Sequence, residues 1–169
     1  QNVAIGYIAL DADTKGNQSV AIGVNALGAQ NFTTSTNTGN VAVGRGAGEA
    51  VTTGIQNALI GAYAGDALTD ADYNTAVGYN ALTSDTKGSN SVAIGNGALN
   101  TQNFTTSTNA LNVAVGNSAG YAVTTGESNA FLGHGAGAAL TTGTHSIYIG
   151  RDAGYHATPM TTGSQNIFI

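Results

Sequence analysis

Cysteine is absent from this 169-residue chain, so it can form neither a disulfide nor a thiolate metal site. Charge is also scarce, because charged residues make up 8% of the sequence, far below the ~25% of an ordinary globular protein. With four basic residues and a net charge of −5, we expect no binding to nucleic acid. No apolar run approaches the ~20 residues of a membrane-spanning helix, so we expect no direct membrane insertion of this segment.

The residues that are present do not describe a disordered chain. Apolar residues make up 41% of the sequence, and 25 residues are glycine. Disorder requires high charge and few apolar groups, which is the opposite composition. The apolar residues are mostly small and recur at regular intervals, as expected of thin stacked layers.

One pentapeptide organises the chain: Asn-Val-Ala-Ile-Gly at Asn2–Gly6 returns with small changes about every 17 residues, with two intervals of 21. A fixed period of this length indicates a solenoid in which each repeat is one coil. The closing glycines are Gly6, Gly23, Gly44, Gly61, Gly78, Gly95, Gly116, Gly133 and Gly150. Each is followed three residues later by alanine: Ala9, Ala26, Ala47, Ala64, Ala81, Ala98, Ala119, Ala136 and Ala153.

The repeats predict an all-β fold, a parallel β-roll or β-solenoid of nine to ten coils of ~17 residues. We interpret residues 1–169 as a single repeat domain. It is expected to be a fragment of a longer chain, because it opens and closes inside repeats. Residues 19–90 reappear with changes as residues 91–162, which indicates the duplication of a four-coil block.

Positions around the glycine predict how the coils stack. The residue four before it is always Asn or Ser, as at Asn40 and Ser91, and such groups suit a corner where they bond neighbouring backbone. Stacked coils would align them in a ladder. The next three residues are predicted to form a strand whose last residue, as at Ile22, faces the core. Each coil then closes with a Thr-rich segment and a glycine, predicted as a second short strand and a turn.

The interior of each coil is predicted to hold one apolar slot. Where the residue four after the glycine is leucine, as at Leu27, the residue three further on is polar, as at Gln30. Where it is glycine, as at Gly48, the later residue is apolar, as at Val51. Because a close-packed interior leaves no void, the slot is filled from one place or the other. The alanine three after each glycine is expected to be tightly enclosed, since no larger residue occurs there.

Small coils also predict association between chains. One coil of 17 residues encloses roughly two to four inward apolar groups, and such small cores are hard to stabilise alone. The strand is apolar on both sides, so we expect one side to pack inside the coil and the other against partner chains. We favour a homotrimer.

Two runs carry a resemblance to known families. Asn-Ser-Val-Ala-Ile-Gly at Asn90–Gly95, with Ala98 after it, resembles the head repeats of YadA-like trimeric autotransporter adhesins. Asn-Thr-Ala-Val-Gly-Tyr-Asn-Ala-Leu at Asn74–Leu82 resembles β-roll repeats of phage tail fibres and bacterial surface fibre proteins. The resemblance covers essentially the whole chain. It implies a homotrimer of left-handed β-rolls outside the cell, either on an outer membrane-anchored bacterial fibre or on a phage or phage-like tail fibre. The chain departs from the adhesin pattern in its longer coil and its Thr-rich insertions.

Both 21-residue coils carry the same inserted loop, at Asn31–Asn37 and Asn103–Asn109. These loops and the tyrosines beyond the bend are the predicted surface for contact with a host-surface glycan or protein receptor. The candidates are Asn31, Phe32, Thr33, Thr34, Asn103, Phe104, Thr105, Thr106, Tyr79 and Tyr121. The two phenylalanines could instead tuck back as anchors, and the tyrosines could equally pack against neighbours.

Other polar groups are interpreted without a chemical function. The pairs Asp11 with Asp13 and Asp70 with Asp72 fit solvated turns better than a calcium site. The three histidines, His134, His145 and His156, are expected to be exposed or structurally bonded. Nothing converges on a pocket, so we expect no enzyme activity, no cofactor and no metal.

These observations predict a structural and adhesive function, a segment of a trimeric surface or tail fibre that spaces or presents a receptor-binding region. The alternative is a module that binds a glycan or receptor directly through the Thr-rich loops and exposed tyrosines.

Overall fold

In a computed structural model, which describes residues 1–155 and 161–169, the chain is a parallel β-solenoid of about nine turns. The described residues contain strands and turns and no helix, and so none that is long and apolar enough to cross a membrane. Each coil contributes one short strand to a common sheet. The repeat predicted from the sequence is therefore confirmed as one coil of a solenoid.

The strands of the described residues are β1 (Val3–Ile5), β2 (Gly16–Asn17), β3 (Val20–Ile22), β4 (Thr36–Asn37), β5 (Val41–Val43), β6 (Ala58–Ile60), β7 (Thr75–Val77), β8 (Gly88–Ser89), β9 (Val92–Ile94), β10 (Thr108–Asn109), β11 (Val113–Val115), β12 (Ala130–Leu132), β13 (Ile147–Ile149) and β14 (Ile167–Phe168).

Ten of these strands form a single parallel sheet along the solenoid, in the order β1-β3-β5-β6-β7-β9-β11-β12-β13-β14. Equivalent residues lie opposite each other, as Ala21 does to Ala42. A second strand was predicted for every coil, but within residues 1–155 and 161–169 it forms only in two small ladders, β2 with β4 and β8 with β10. Both ladders involve a coil with an insertion, whose additional residues allow the chain to run extended beside the preceding coil.

The prediction that the last residue of each sheet strand faces the core is wrong. In the three-residue strands that follow β1, the middle residue points inward, and Ala21, Ala42 and Leu59 are fully buried. The residues on either side of it point out, and Leu132 is 51% exposed. At this middle position the space between the sheet and the facing turns is filled by alanine in most coils. The larger Val and Ile side chains therefore lie outside.

The interior slot and the enclosed alanine are confirmed. Leu27 and Val51, which fill the slot from its two alternative positions, are both fully buried, as is Ala47. The glycines at the slot also make room for a neighbouring coil, since a Cβ on Gly48 would lie 2.7 Å from Cδ1 of Leu59. Core volume is therefore shared between adjacent coils as well as within each coil.

Aromatic rings replace alanine in the core of the last coils. Tyr148 stacks on Phe131 with centroids 5.4 Å apart and on Phe168 with centroids 4.9 Å apart. The Tyr148 hydroxyl is buried and makes no hydrogen bond of ordinary geometry with the described residues, although the Ser146 side chain lies close enough to interact with it. Burial, the main cause, raises the pKa of Tyr148 above its ordinary value, and the interaction with Ser146 partly opposes this.

The glycine that ends each strand is required by a close backbone approach between coils. Gly78 has a φ of 134°, in a region that other residues rarely adopt. A Cβ on Gly78 would lie 2.6 Å from the carbonyl oxygen of Gly95 in the next coil. The coils therefore stack through bare backbone at this corner.

We expect Gly78→Ala to lower the free energy of unfolding by about 3–5 kcal/mol, because it combines backbone strain with overlap. Gly150→Ala is the matched control: its φ is 115°, but a Cβ there meets nothing within 4 Å. It should cost only the strain, about 1–3 kcal/mol. Urea denaturation of both variants measures this, and equal losses would contradict the steric explanation.

Tyr148→Phe should raise the free energy of unfolding by about 1 kcal/mol, because it removes a buried hydroxyl that makes no hydrogen bond of ordinary geometry. The reciprocal change, Phe131→Tyr, adds such a hydroxyl one coil earlier and should be destabilising. Thermal denaturation monitored by circular dichroism compares the two variants. A destabilised Tyr148→Phe would show that the hydroxyl contributes to stability.

Candidate functional site

A ladder of corner asparagines holds successive coils together, as predicted. Nδ2 of Asn57 donates to the carbonyl oxygen of Ala71 in its own coil at 2.8 Å. Its Oδ1 accepts the backbone N–H of Asn74 in the next coil at 2.9 Å. Asn40 and Asn129 make the same pair of contacts. One side chain thus links the two ends of its own coil and fixes the start of the following coil.

The corner residue differs between short and long coils, a relation that the sequence analysis missed. Coils that start with Asn have 17 residues, whereas Ser19, Ser91 and Ser146 start coils of 21, 21 and 20 residues. In the coil of Ser91, the side chain of Gln102 bridges this corner to the corner of the next coil. Its Nε2 donates to Oγ of Ser91 at 3.2 Å, and its Oε1 accepts from Nδ2 of Asn112 at 2.8 Å. Gln30 lies likewise between Ser19 and Asn40.

A buried carboxylate anchors the second Thr-rich loop. Asp85 is fully buried, and its Oδ1 accepts the backbone N–H groups of Gly88 and Phe104, each at 3.0 Å. Its Oδ2 accepts from Nε2 of Gln102 at 2.6 Å. In the first block Asp13 accepts from Gly16 N–H and Gln30 Nε2, but it is only half-buried. Each loop is therefore tied at its base to the preceding coil.

The loop residues divide into anchors and exposed groups. Phe32 and Phe104 are buried, so the alternative in which they tuck back as anchors applies, and their side chains do not project. The exposed candidates of the two loops are Asn31, Thr33, Thr34, Asn103, Thr105 and Thr106. Oδ1 of Asn103 accepts from Oγ1 of Thr86 at 3.1 Å, and Asn31 is bonded similarly to Thr14. Within the described structure, the hydroxyls of the four exposed threonines make no hydrogen bond.

The two candidate tyrosines belong to other parts of the coil than the loops do. Tyr79 is 53% exposed and Tyr121 is 44% exposed, so both are accessible. Tyr79 meets Tyr63 edge-on at 6.2 Å, and the Arg45 guanidinium lies 5.2 Å from the centre of the Tyr63 ring. Across residues 1–155 and 161–169, no hydrogen bond or ring contact joins either tyrosine to a loop. The structure therefore shows no direct bond that joins the two tyrosines and the loops into one site.

Carboxylates elsewhere are engaged in local contacts. Asp72 Oδ1 accepts the N–H of Ile55 at 2.8 Å, and Asp70 lies 3.5 Å from the Lys87 ammonium. Burial, the main cause, raises the pKa of Asp66, and a nearby Glu49 adds to this, although the Thr83 hydroxyl bond opposes it. In the part of the chain that is described, no three His, Asp or Glu side chains cluster as metal ligands.

The remaining candidates sit near the surface. His134 Nδ1 lies 3.5 Å from Asp152, and His145 is exposed, while His156 falls outside the described residues. An open depression of about 200 Å³ lies on the turn side of the first coils, which is the surface formed by the turns that follow the strands of the main sheet. It is lined by Ile8, Asp11, Asn25, Gly28, Ala29 and Glu49.

No protein-family model, curated protein or solved structure matches this chain. The resemblance to adhesin heads and tail fibres therefore stays a prediction from the sequence.

We expect Asp85→Ala to lower the free energy of unfolding by about 3–5 kcal/mol, because three buried donors lose their acceptor. Backbone amides of Asn103–Asn109 should also exchange faster with solvent, since the base of the loop is released. Asp13→Ala is the matched control and should cost about 1 kcal/mol at its half-exposed site. Hydrogen exchange by mass spectrometry tests this, and an unchanged loop in Asp85→Ala would contradict the anchoring role.

Proposed function

We propose that this chain is a segment of a homotrimeric extracellular fibre, on a bacterial surface or a phage-like tail, that spaces or presents a receptor-binding region. The observation that carries the proposal is the apolar outer face of the ten-stranded sheet. We define this outer face as the first and third positions of each strand triplet, together with Ile169. Apart from Ala58, Thr75 and Ala130, every such position is Val, Ile or Leu, and none carries a charge.

The outer face is accessible along the solenoid in the single chain. Ile5, Ile60, Val113 and Leu132 are all exposed, although they lie in different coils from one end to the other. Soluble monomers rarely leave a continuous apolar surface of this kind open to water. This rule favours partner chains that pack against this face.

The length of the outer face fits a rod-shaped assembly. Nine coils at the ~4.8 Å spacing of paired strands give a rod of roughly 43 Å. Copies that pack side by side can bury the outer face along this whole length. Cyclic symmetry then limits the assembly to a fixed number of chains. The number three comes from the resemblance to trimeric fibres, which makes it the quantity to measure.

Light scattering on the purified chain should give a mass near three times 16.7 kDa. Leu132→Asp combined with Ile60→Asp should convert it to a folded monomer, because charge on the outer face cannot be buried between chains. Tyr121→Asp, on the turn side, is the control and should leave the mass unchanged. A wild-type monomer at micromolar concentration, or a double variant that retains the mass, would refute the assembly.

A second function, direct binding to a surface glycan or receptor, is favoured by the exposed loops. Their threonine hydroxyls face solvent without a protein partner, while the base of each loop is held by buried groups. Such side chains are free to bond a ligand at little cost in ordering. This function is compatible with the fibre and is tested separately, through the loops.

A further inference from the structure

The two Thr-rich loops have remained identical, although much of the surface around them has changed. Asn31–Asn37 and Asn103–Asn109 agree at all seven positions across the duplication of residues 19–90 and 91–162. On the turn side, exposed positions differ between the same two blocks. Arg45 corresponds to Asn117, Glu49 to Tyr121 and Tyr79 to Arg151.

Contacts that stabilise the fold explain only some of the residues that are identical in the two loops. Phe104 is a buried anchor, and the Thr108 hydroxyl bonds the carbonyl oxygen of Thr106 within the loop. Thr105 and Thr106 are exposed, and their hydroxyls bond nothing in the described structure, as for the equivalent Thr33 and Thr34. No contact within the described structure therefore accounts for these four hydroxyls.

The exposed chemistry of the loops selects a class of ligand. They offer hydroxyls and amides, which both donate and accept hydrogen bonds, and they expose neither an aromatic ring nor a charge. The adjacent cations are already engaged, since Lys15 Nζ donates to the carbonyl oxygen of Thr33 and Lys87 pairs with Asp70. Protein interfaces depend on buried Tyr, Trp and Arg anchors, which these loops lack. An uncharged ligand rich in hydroxyls is the complementary partner.

The spacing of the loops adds a second constraint. They belong to the coils of β3 and β9, which are four steps apart in the sheet. Four steps at the strand spacing place equivalent atoms roughly 19 Å apart along the solenoid. Both loops start at the same corner of their coil, so they lie along one edge of the solenoid. A polymer that lies along the rod can therefore reach both.

We infer that the two Thr-rich loops are equivalent sites that together bind one strand of a neutral, hydroxyl-rich polymer, of the class of neutral polysaccharides. This inference rests on the second function above, binding through the loops, and is independent of the number of chains in the assembly. Linking two sites on one ligand raises its apparent affinity by roughly 10²–10⁴-fold over a single site.

Biolayer interferometry tests the inference with immobilised dextran, mannan, galactan and β-glucan, and with dextran sulfate as the charged comparison. The wild-type chain should bind at least one neutral polymer and bind dextran sulfate no better. Thr33→Val with Thr34→Val, or Thr105→Val with Thr106→Val, should each lower the apparent affinity by roughly 10²-fold. The quadruple variant should lose binding. Valine keeps the shape of threonine, so melting temperature and assembly mass should not change.

Thr142→Val is the matched control, because Thr142 is an exposed threonine outside both loops. It should bind as the wild type does. If single-loop variants bind normally and only the quadruple variant fails, the paired site is refuted while loop binding stands. If the quadruple variant still binds, both are refuted. Binding to no neutral polymer, or capture of a protein receptor alone, also overturns the inference.

Discussion

The double contact of each corner asparagine is the constraint on which the coil depends. One amide bonds a carbonyl of its own coil and a backbone N–H of the next, so its reach fixes where the chain must return. A coil of 17 residues satisfies both contacts. A longer coil displaces the carbonyl, and the structure compensates with a serine at the corner and a glutamine from the interior. In the two 21-residue coils, the insertion is therefore accompanied by a change of the buried polar network.

Much of the fold could be predicted because the same constraint recurs in every coil. An alanine that is never replaced indicates enclosure, and Ala47 is indeed fully buried. A coil has either a leucine at the position of Leu27 or an apolar residue at the position of Val51. This alternation indicates a single interior slot that one of the two positions fills. Comparing the coils of one chain shows which residue types each position accepts, because every coil must fill the same interior space.

Other features lay beyond the sequence for physical reasons. The larger residues of the strand were expected inside, yet the thin interior accepts alanine at Ala21 and Ala42 and leaves valine outside. Periodicity identifies alternate sides of a strand but not which side is enclosed. The role of Gln102 was also missed, because its partners Ser91 and Asn112 are 11 and 10 residues away and meet only when the coils stack. The two insertions were identified from the sequence, but the strands at their ends and the burial of Phe104 needed the structure.

Stacking through backbone has a mechanical consequence. The hydrogen bonds between coils, such as Gly78 N–H to the carbonyl oxygen of Ile60, run along the length of the solenoid. A pull along the axis loads every bond of one coil boundary at the same moment, and these bonds share the force. A sideways pull on one strand instead opens them in sequence. The stack thus resists tension along its length better than peeling at its side.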